Sequence, residues 1–152
     1  MIFKYSNGSD PDFIQLCSQL DDYLNCIAGG VQNRKEYLPY NKPNSIQHAV
    51  ILYDADTPIG CIGLRHYAKG VAELKRLYIL ETYRGFGFSK QLMEEIERLA
   101  ITLEYHRLIL ETGMVLHAAM VLFHHMGYHK IPNFGPYITM RHSVCMAKDL
   151  AL

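Results

Sequence analysis

The sequence predicts an α/β fold in which a mixed β-sheet carries helices on both faces. Two observations predict it. Apolar runs of strand length alternate with stretches whose apolar residues recur every three or four positions, as in amphipathic helices. Clusters of glycine, proline and polar residues separate these runs. No repeat, low-complexity segment or linker divides the chain, so we expect one domain over residues 1–152.

The first part of the chain predicts a strand, a long helix and an irregular segment. "MIFKYS" predicts the strand. Asp10 and Pro11 supply an N-cap and a proline at the first helical position. The helix is expected to end near Gly29 and Gly30. The polar segment 31–45 contains two prolines and predicts a partly helical surface stretch, of the kind that often covers a binding cleft.

Three strands are predicted next. "HAVILYDADTPIGCIGLRHY" predicts two of them, joined as a hairpin with a longer turn around "DADTP". "VAELKRLYIL" predicts the third, in which Glu73, Lys75 and Arg76 indicate one solvent-exposed face. The alternation slips after Leu74, which favours a β-bulge there.

The rest of the chain predicts two more helices and three more strands. Apolar residues from Phe88 to Leu103 follow helical spacing. "RLILETG" predicts a strand, and "LHAAMVLFHHMGY" predicts a second amphipathic helix that Gly127 ends. "YHKI" and "HSVCMAKDL" predict the last two strands.

Charge and cysteine content restrict the class of partner and the location. Fifteen basic residues balance fifteen acidic ones, so no overall field favours nucleic acid or an anionic membrane, and we expect neither as a partner. Four cysteines lack C-x-x-C spacing and no secretory segment begins the chain, which predicts reduced thiols and a cytoplasmic location. No apolar run approaches the roughly 18 residues of a membrane span.

The stretch "LYILETYRGFGFSKQL", residues 77 to 92, carries the strongest functional pattern. A strand, a glycine-rich turn and a helix start together form an anion site, because amide N–H groups and the helix dipole point outward there. Gly85 and Gly87 let the backbone approach a ligand, and Arg84 adds a cation. The Walker and dinucleotide patterns do not fit, since Lys90 stands where the latter needs its third glycine. The spacing alone leaves a plain tight turn open.

The stretch "AELKRLYIL-ETYRGFGFSKQLM", with "ETG" and "AMVLFHHMGY" downstream, resembles the GNAT family of acetyl-CoA-dependent N-acetyltransferases. The family signature Q/R-x-x-G-x-G/A is similar to the segment from Arg84 to Ser89, where serine replaces the final small residue. The order of elements agrees from Ile2 to Lys148. The resemblance implies a mostly antiparallel sheet that splays between its fourth and fifth strands, and it implies an acyltransferase.

The resemblance also implies where acetyl-CoA binds as co-substrate. The pyrophosphate would lie on the amides of residues 85 to 90, and the pantetheine arm would pair with the preceding strand. The implied cofactor-binding residues are Leu77, Tyr78, Ile79, Arg84, Gly85, Phe86, Gly87, Phe88, Ser89, Lys90 and Phe123.

Amine acetylation requires a base and a polarised thioester carbonyl. The family resemblance implies that a backbone N–H near Tyr78 polarises the carbonyl and that Glu73 acts as the general base through water. A solvated strand carboxylate paired with Lys75 or Arg76 is the alternative for Glu73. Glu111 is a second candidate, either as base or for binding a substrate cation. Its alternative role is to cap the helix that follows.

The general acid departs from the family pattern. Phe123 stands where the family usually has tyrosine, and Leu116 stands where Asn or Gln often precedes it. Tyr128, Tyr137 or a water molecule could protonate the departing thiolate, or no acid is needed. Arg65 and Tyr137 are candidates for substrate binding, with Arg65 suited to a carboxylate, and ordinary surface placement is the alternative for both.

The favoured function is transfer of acetyl to a primary amine of a small molecule, such as an amino acid or aminated metabolite, in a ternary complex. A weakened acyl-CoA-binding or sensing module and a protein N-acetyltransferase are the alternatives. Phe123 and Leu116 favour the sensing module. We expect no metal, because His125-x-x-x-His129 spans Gly127 and no nearby Cys or Asp completes a site. A monomer or a homodimer is expected.

Overall fold

The computed structural model describes residues 1–151, and of residues 31–33 it describes the backbone alone. Within these residues three α-helices and seven strands are defined. The helices are α1 (Pro11–Ala28), α2 (Phe88–Thr102) and α3 (His117–His125). The strands are β1 (Ile2–Ser6), β2 (His48–Asp54), β3 (Thr57–Ala68), β4 (Val71–Ile79), β5 (Arg107–Gly113), β6 (His129–Ile131) and β7 (Ser143–Asp149). The segment Val31–Tyr40 is a 3-10 helix.

The strands form one sheet in the order β1-β2-β3-β4-β5-β7-β6. Strand β4 pairs with β5 in parallel, whereas β1–β2, β2–β3, β5–β7 and β6–β7 are antiparallel. The predicted α/β fold class, with a mixed and mostly antiparallel sheet, is therefore confirmed. The parallel register runs from Val71 opposite Arg107 to Leu74 opposite Leu110. The splay between the fourth and fifth strands, which the family resemblance implied, stays a prediction.

Helix α1 begins and ends as its sequence predicts. The Asp10 side chain accepts a hydrogen bond from the Asp12 amide, and Pro11 occupies the first turn. Gly29 ends the helix in the left-handed conformation, with φ 83°. The buried face of α1 packs into a core cluster with Ile46 and with residues of β2 and β3. The buried members of this cluster are Phe13, Leu16, Cys17, Ile46, Ala49, Ile51 and Cys61.

The β2–β3 hairpin differs from its prediction. Only Ala55 and Asp56 connect the strands, so the predicted longer turn is wrong. Ala55 has φ 52°, and Pro58 lies inside β3, opposite Tyr53. The register shifts between Leu52 and Tyr53, and such an irregularity lets a strand accept proline.

The predicted solvent-exposed face of β4 is also wrong. Glu73, Lys75 and Arg76 are all buried. Arg76 contacts the Asp21 carboxylate at 2.9 Å and donates to the Cys17 carbonyl at 2.7 Å, and these partners compensate for its burial. Its φ of 62° shows that the strand is irregular where the alternation slips.

The structure divides into two compact units. The first comprises residues 1–65 and 75–96, which include α1, β1, β2 and the glycine turn. The second comprises residues 66–74 and the chain from residue 97 onward, which include β5, β6, β7 and α3. Among residues 1–151, no helix combines the length and the apolar content that crossing a membrane requires.

Candidate active site

The turn between β4 and α2 has an unusual backbone. Gly85 and Gly87 have φ values of 85° and 82°, a region that residues with a Cβ adopt only with strain. A Cβ built on either glycine would have no described protein atom within 4 Å. Glycine is therefore required here by the backbone conformation, not by crowding, and the main chain is accessible to a ligand.

Helix α2 begins directly after this turn. The first amide bonded back within the helix is that of Gln91, which donates to the Gly87 carbonyl at 3.2 Å. The amides of residues 88–90 precede this ladder, and in an α-helix such amides carry the positive end of the dipole. Lys90 is exposed, and its Nζ lies 4.0 Å from Oε1 of Glu94. The arrangement suits an anion with several oxygen atoms.

Arg84 lies beside the turn in a defined orientation. Its Nε donates to the Ile79 carbonyl at 3.0 Å. Its guanidinium carbon lies 4.4 Å from the ring centroid of Tyr23 and 5.6 Å from that of Tyr78. Burial raises the pKa of Tyr78, and the nearby Arg84 cation opposes that rise. A positive charge is thus held next to the accessible backbone.

The flanks of the turn are anchored and partly apolar. Tyr83 donates to Asp54 of β2 at 2.7 Å, and this bond raises the pKa of Tyr83. Phe86 is 68% exposed, and its ring centroid lies 6.1 Å from that of Phe88. In β4, Leu77 and Tyr78 are half-buried and Ile79 is buried.

A second group of polar side chains, Glu73, Glu111 and Tyr137, forms the carboxylate cluster. Glu73 of β4 is opposite Ile109 in the parallel register, and Glu111 follows two residues later in β5. Because side chains alternate along a strand, Glu73 and Glu111 lie on the same face of the sheet. The Tyr137 hydroxyl donates to Glu73 Oε2 at 3.4 Å. The structure therefore brings together three residues that the sequence analysis selected separately.

Two members of the cluster are buried and the third, Glu111, is half-buried. Glu73 and Tyr137 are 3% and 2% exposed. Burial raises the pKa of Tyr137 well above its usual range, and the charges of Glu73 and Glu111 raise it further. Tyr137 therefore stays protonated at neutral pH and acts as a hydrogen-bond donor.

Sequence reasoning missed one member of this environment. Cys145 of β7 is directly opposite Glu111 and is fully buried. Burial raises the pKa of its thiol, so the group is neutral. The Phe134 ring packs edge-on against both Tyr67 and Tyr137, at centroid distances of 5.3 and 5.5 Å. Only the strand register could have placed Cys145 there.

Comparison with known proteins gives the family. The profile of the acetyltransferase (GNAT) family matches residues 17–128. The chain belongs to this family. It is an acyltransferase.

Relatives of this GNAT protein span nearly its whole length. An Azospirillum brasilense protein named IAA acetyltransferase is 28% identical, and the match covers 90% of both chains. A Klebsiella pneumoniae structure described as an acyl-CoA N-acyltransferase has a TM-score of 0.80 and 28% identity, covering 99% of this chain and 97% of the other. PaiA N-acetyltransferase from Thermoplasma acidophilum, solved with coenzyme A, has a TM-score of 0.71 and 18% identity, covering 98% and 99%. The last likeness concerns the fold alone.

The candidate acid Tyr128 has a structural partner in this GNAT chain. It is 1% exposed, and its hydroxyl donates to Glu97 Oε2 at 2.8 Å. Lys148 Nζ contacts the other carboxylate oxygen at 2.8 Å. Burial, reinforced by Glu97, raises the pKa of Tyr128 far above its usual range. This geometry favours a role in holding the fold, and the acid role stays a prediction.

Phe123 and Arg65 are two further predicted site residues. Phe123 of α3 is 7% exposed, and its ring packs against Tyr128 at a centroid distance of 6.1 Å. Arg65 is half-buried in β3. Their roles toward the cofactor and the acceptor stay predictions. Within residues 1–151, no group of three His, Cys, Asp or Glu side chains is placed to hold a metal ion.

Proposed function

We propose that this GNAT protein transfers the acetyl group of acetyl-CoA to a primary amine of a small molecule, by direct attack in a ternary complex. The observation that carries the proposal is the Gly85–Gly87 turn at the start of α2, with its accessible backbone and the adjacent Arg84. Coenzyme A and acetyl-CoA complexes of proteins with this fold support the choice of co-substrate.

The glycine turn would hold the pyrophosphate. The amides of residues 85–90 donate to its oxygens, and Arg84 and Lys90 supply positive charge. The backbone of residues 77–79 would pair with the pantetheine arm as an added strand does. Phe86, Phe88 and Phe123 would contribute apolar contact, and Ser89 a small residue with an available amide.

The carboxylate cluster would bind the acceptor and remove its proton. Two carboxylates on one face of the sheet attract an ammonium group. Glu111 would hold the cation, and Glu73 would take the amine proton, directly or through water. The hydrogen bond from Tyr137 would orient the Glu73 carboxylate. Arg65 would suit a carboxylate on an amino-acid acceptor.

Acetyl transfer would then involve the following bond changes. The ammonium gives one proton to Glu73, the neutral nitrogen forms a bond to the thioester carbonyl carbon, the C–S bond breaks, and the second proton of the nitrogen passes to the departing thiolate or to water. The amide near Tyr78 would stabilise the developing oxyanion. The thiolate can depart without a dedicated acid, because a thiol pKa of about 8.5 makes it a fair leaving group. Tyr137 and Tyr128 remain candidate donors, of which Tyr137 lies in the cluster.

A catalytically weakened acyl-CoA-binding module is the second candidate. Phe123 favours it, since the position that usually carries a tyrosine hydroxyl in the family is here an apolar ring packed against Tyr128.

Three other expectations from the sequence stay predictions: the single-domain organisation, the cytoplasmic location and the monomeric or homodimeric state. Leu152, the last residue of the predicted domain, lies outside the described residues.

The two candidates differ in thiol release. Purified protein with acetyl-CoA is offered amino acids, polyamines and aminoglycosides, and free thiol is followed with a chromogenic disulfide. Release that depends on one class of amine supports the transferase and identifies the acceptor class. Coenzyme A binding without release from any amine would favour the binding module.

A further inference from the structure

The aromatic ring of Tyr23 in α1 has no role in the function described above. We propose that Tyr23 is a positioning residue for coenzyme A, which holds the Arg84 guanidinium in place beside the glycine turn. The inference rests on the proposed function, because it requires that this turn take coenzyme A. Tyr23 and Arg84 are far apart in the sequence and belong to the same compact unit.

Two contacts fix the Arg84 side chain in different ways. The hydrogen bond from Nε to the Ile79 carbonyl, 3.0 Å long, engages one edge of the guanidinium. The Tyr23 ring lies against the group, with its centroid 4.4 Å from the central carbon, well inside the range of about 6 Å for cation–π attraction. A contact to one edge and a contact to one face of the planar guanidinium together fix its orientation.

The exposure of Tyr23 indicates that its side chain serves mainly to contact Arg84 and not to fill the core. The side chain is 39% exposed, so it contributes little to the core beneath α1. Its ring is also near Tyr78, with centroids 6.5 Å apart and planes tilted by 47°. Tyr23 and Tyr78 thus both lie beside the Arg84 cation, and Tyr78 belongs to the strand that leads into the turn.

The contact between Tyr23 and Arg84 would increase the affinity for coenzyme A and leave the chemical step unchanged. A long arginine side chain on an exposed turn loses rotamer freedom when an anion immobilises it. Tyr23 imposes that restriction before the ligand arrives, so binding loses less entropy. Removal of the ring should therefore weaken coenzyme A binding and raise KM for acetyl-CoA, while kcat stays the same.

The magnitude follows from the strength of exposed cation–π contacts. Tyr23→Ala should weaken coenzyme A binding by about two- to five-fold. Tyr23→Phe retains the ring face and should restore wild-type affinity. Ile14→Ala is the matched control, because Ile14 is an exposed apolar residue of the same helix, at 45% exposure. It should leave the affinity unchanged.

The test is calorimetric titration with coenzyme A alone, which needs no acceptor. Tyr23→Ala is measured in the wild-type and the Arg84→Ala backgrounds, with thermal melts to confirm that each variant folds. If Tyr23 acts through Arg84, its substitution has no further effect once Arg84 is absent. An equal loss in both backgrounds would overturn the inference, because Tyr23 would then act on the ligand or the fold directly.

The outcomes separate the inference from the proposed function. If wild-type protein binds no coenzyme A, the proposed function fails and the inference fails with it. If wild-type protein binds but Tyr23→Ala binds equally well, only the inference is wrong. A loss in Tyr23→Ala that Tyr23→Phe does not restore would also contradict it, since the hydroxyl and not the ring face would be responsible.

Discussion

Substitution of Gly87 tests whether the turn binds an anion, and a pair of variants separates strain from charge. Gly87→Ala forces a residue with a Cβ to adopt φ 82°, which costs about 1–2 kcal/mol of folding free energy. No described atom lies within 4 Å of that Cβ, so crowding adds nothing. Gly87→Glu carries the same backbone strain and adds a carboxylate at the proposed pyrophosphate position.

The difference between the two variants is therefore electrostatic. Two unit charges 4 Å apart repel by about 4 kcal/mol at the effective dielectric constant of a protein surface. That energy corresponds to an affinity loss of about 700-fold for Gly87→Glu relative to Gly87→Ala. Their melting temperatures should fall together, by about 2–8 °C from that of the wild type.

Calorimetric titration with coenzyme A measures the affinities, and thermal melts measure the stabilities. Measuring binding at two salt concentrations adds a control, because repulsion at an exposed site weakens as salt rises. Equal affinity of Gly87→Glu and Gly87→Ala for coenzyme A would refute the assignment of this turn to the pyrophosphate.

Three further variants test the other parts of the site. Glu73→Gln should lower turnover most at low pH, where the amine is protonated and the base is most needed, and a pH-independent ratio to wild-type turnover would argue against this role. Phe123→Tyr should leave coenzyme A affinity similar and raise turnover if a missing acid limits the reaction; a large loss of affinity would show that Phe123 is wrongly placed. Tyr128→Phe should lower the free energy of unfolding by about 1–2 kcal/mol, because Glu97 loses a buried donor, while turnover persists. Abolished turnover with unchanged stability would instead identify Tyr128 as the acid.

Features that depend on neighbouring residues in the sequence were predictable. The Asp10 cap, the left-handed Gly29 and the strand–turn–helix order around Gly85 each follow from local backbone chemistry. The family pattern then placed the turn in an acyltransferase. The fold class and the candidate pyrophosphate site could therefore be inferred before any contact was known.

Features that depend on distant partners were not predictable from the sequence. The exposed face assigned to β4 was wrong because Arg76 is neutralised by Asp21 of α1, which no local pattern shows. The contact between Tyr23 and Arg84 was missed for the same reason. The position of Cys145 opposite Glu111 follows from the register of β5 and β7, and a single sequence does not specify that register.

Acetyl transfer to an amine is the central claim, and mass spectrometry of the reaction products tests it most directly. The protein is incubated with isotopically labelled acetyl-CoA and the amine panel, with Glu73→Gln as the matched control. The account predicts a labelled N-acetyl product from at least one small amine, with less formed by the control. Labelled acetyl-CoA that binds the protein but yields no acetylated amine, at any pH at which the protein is folded, would contradict it.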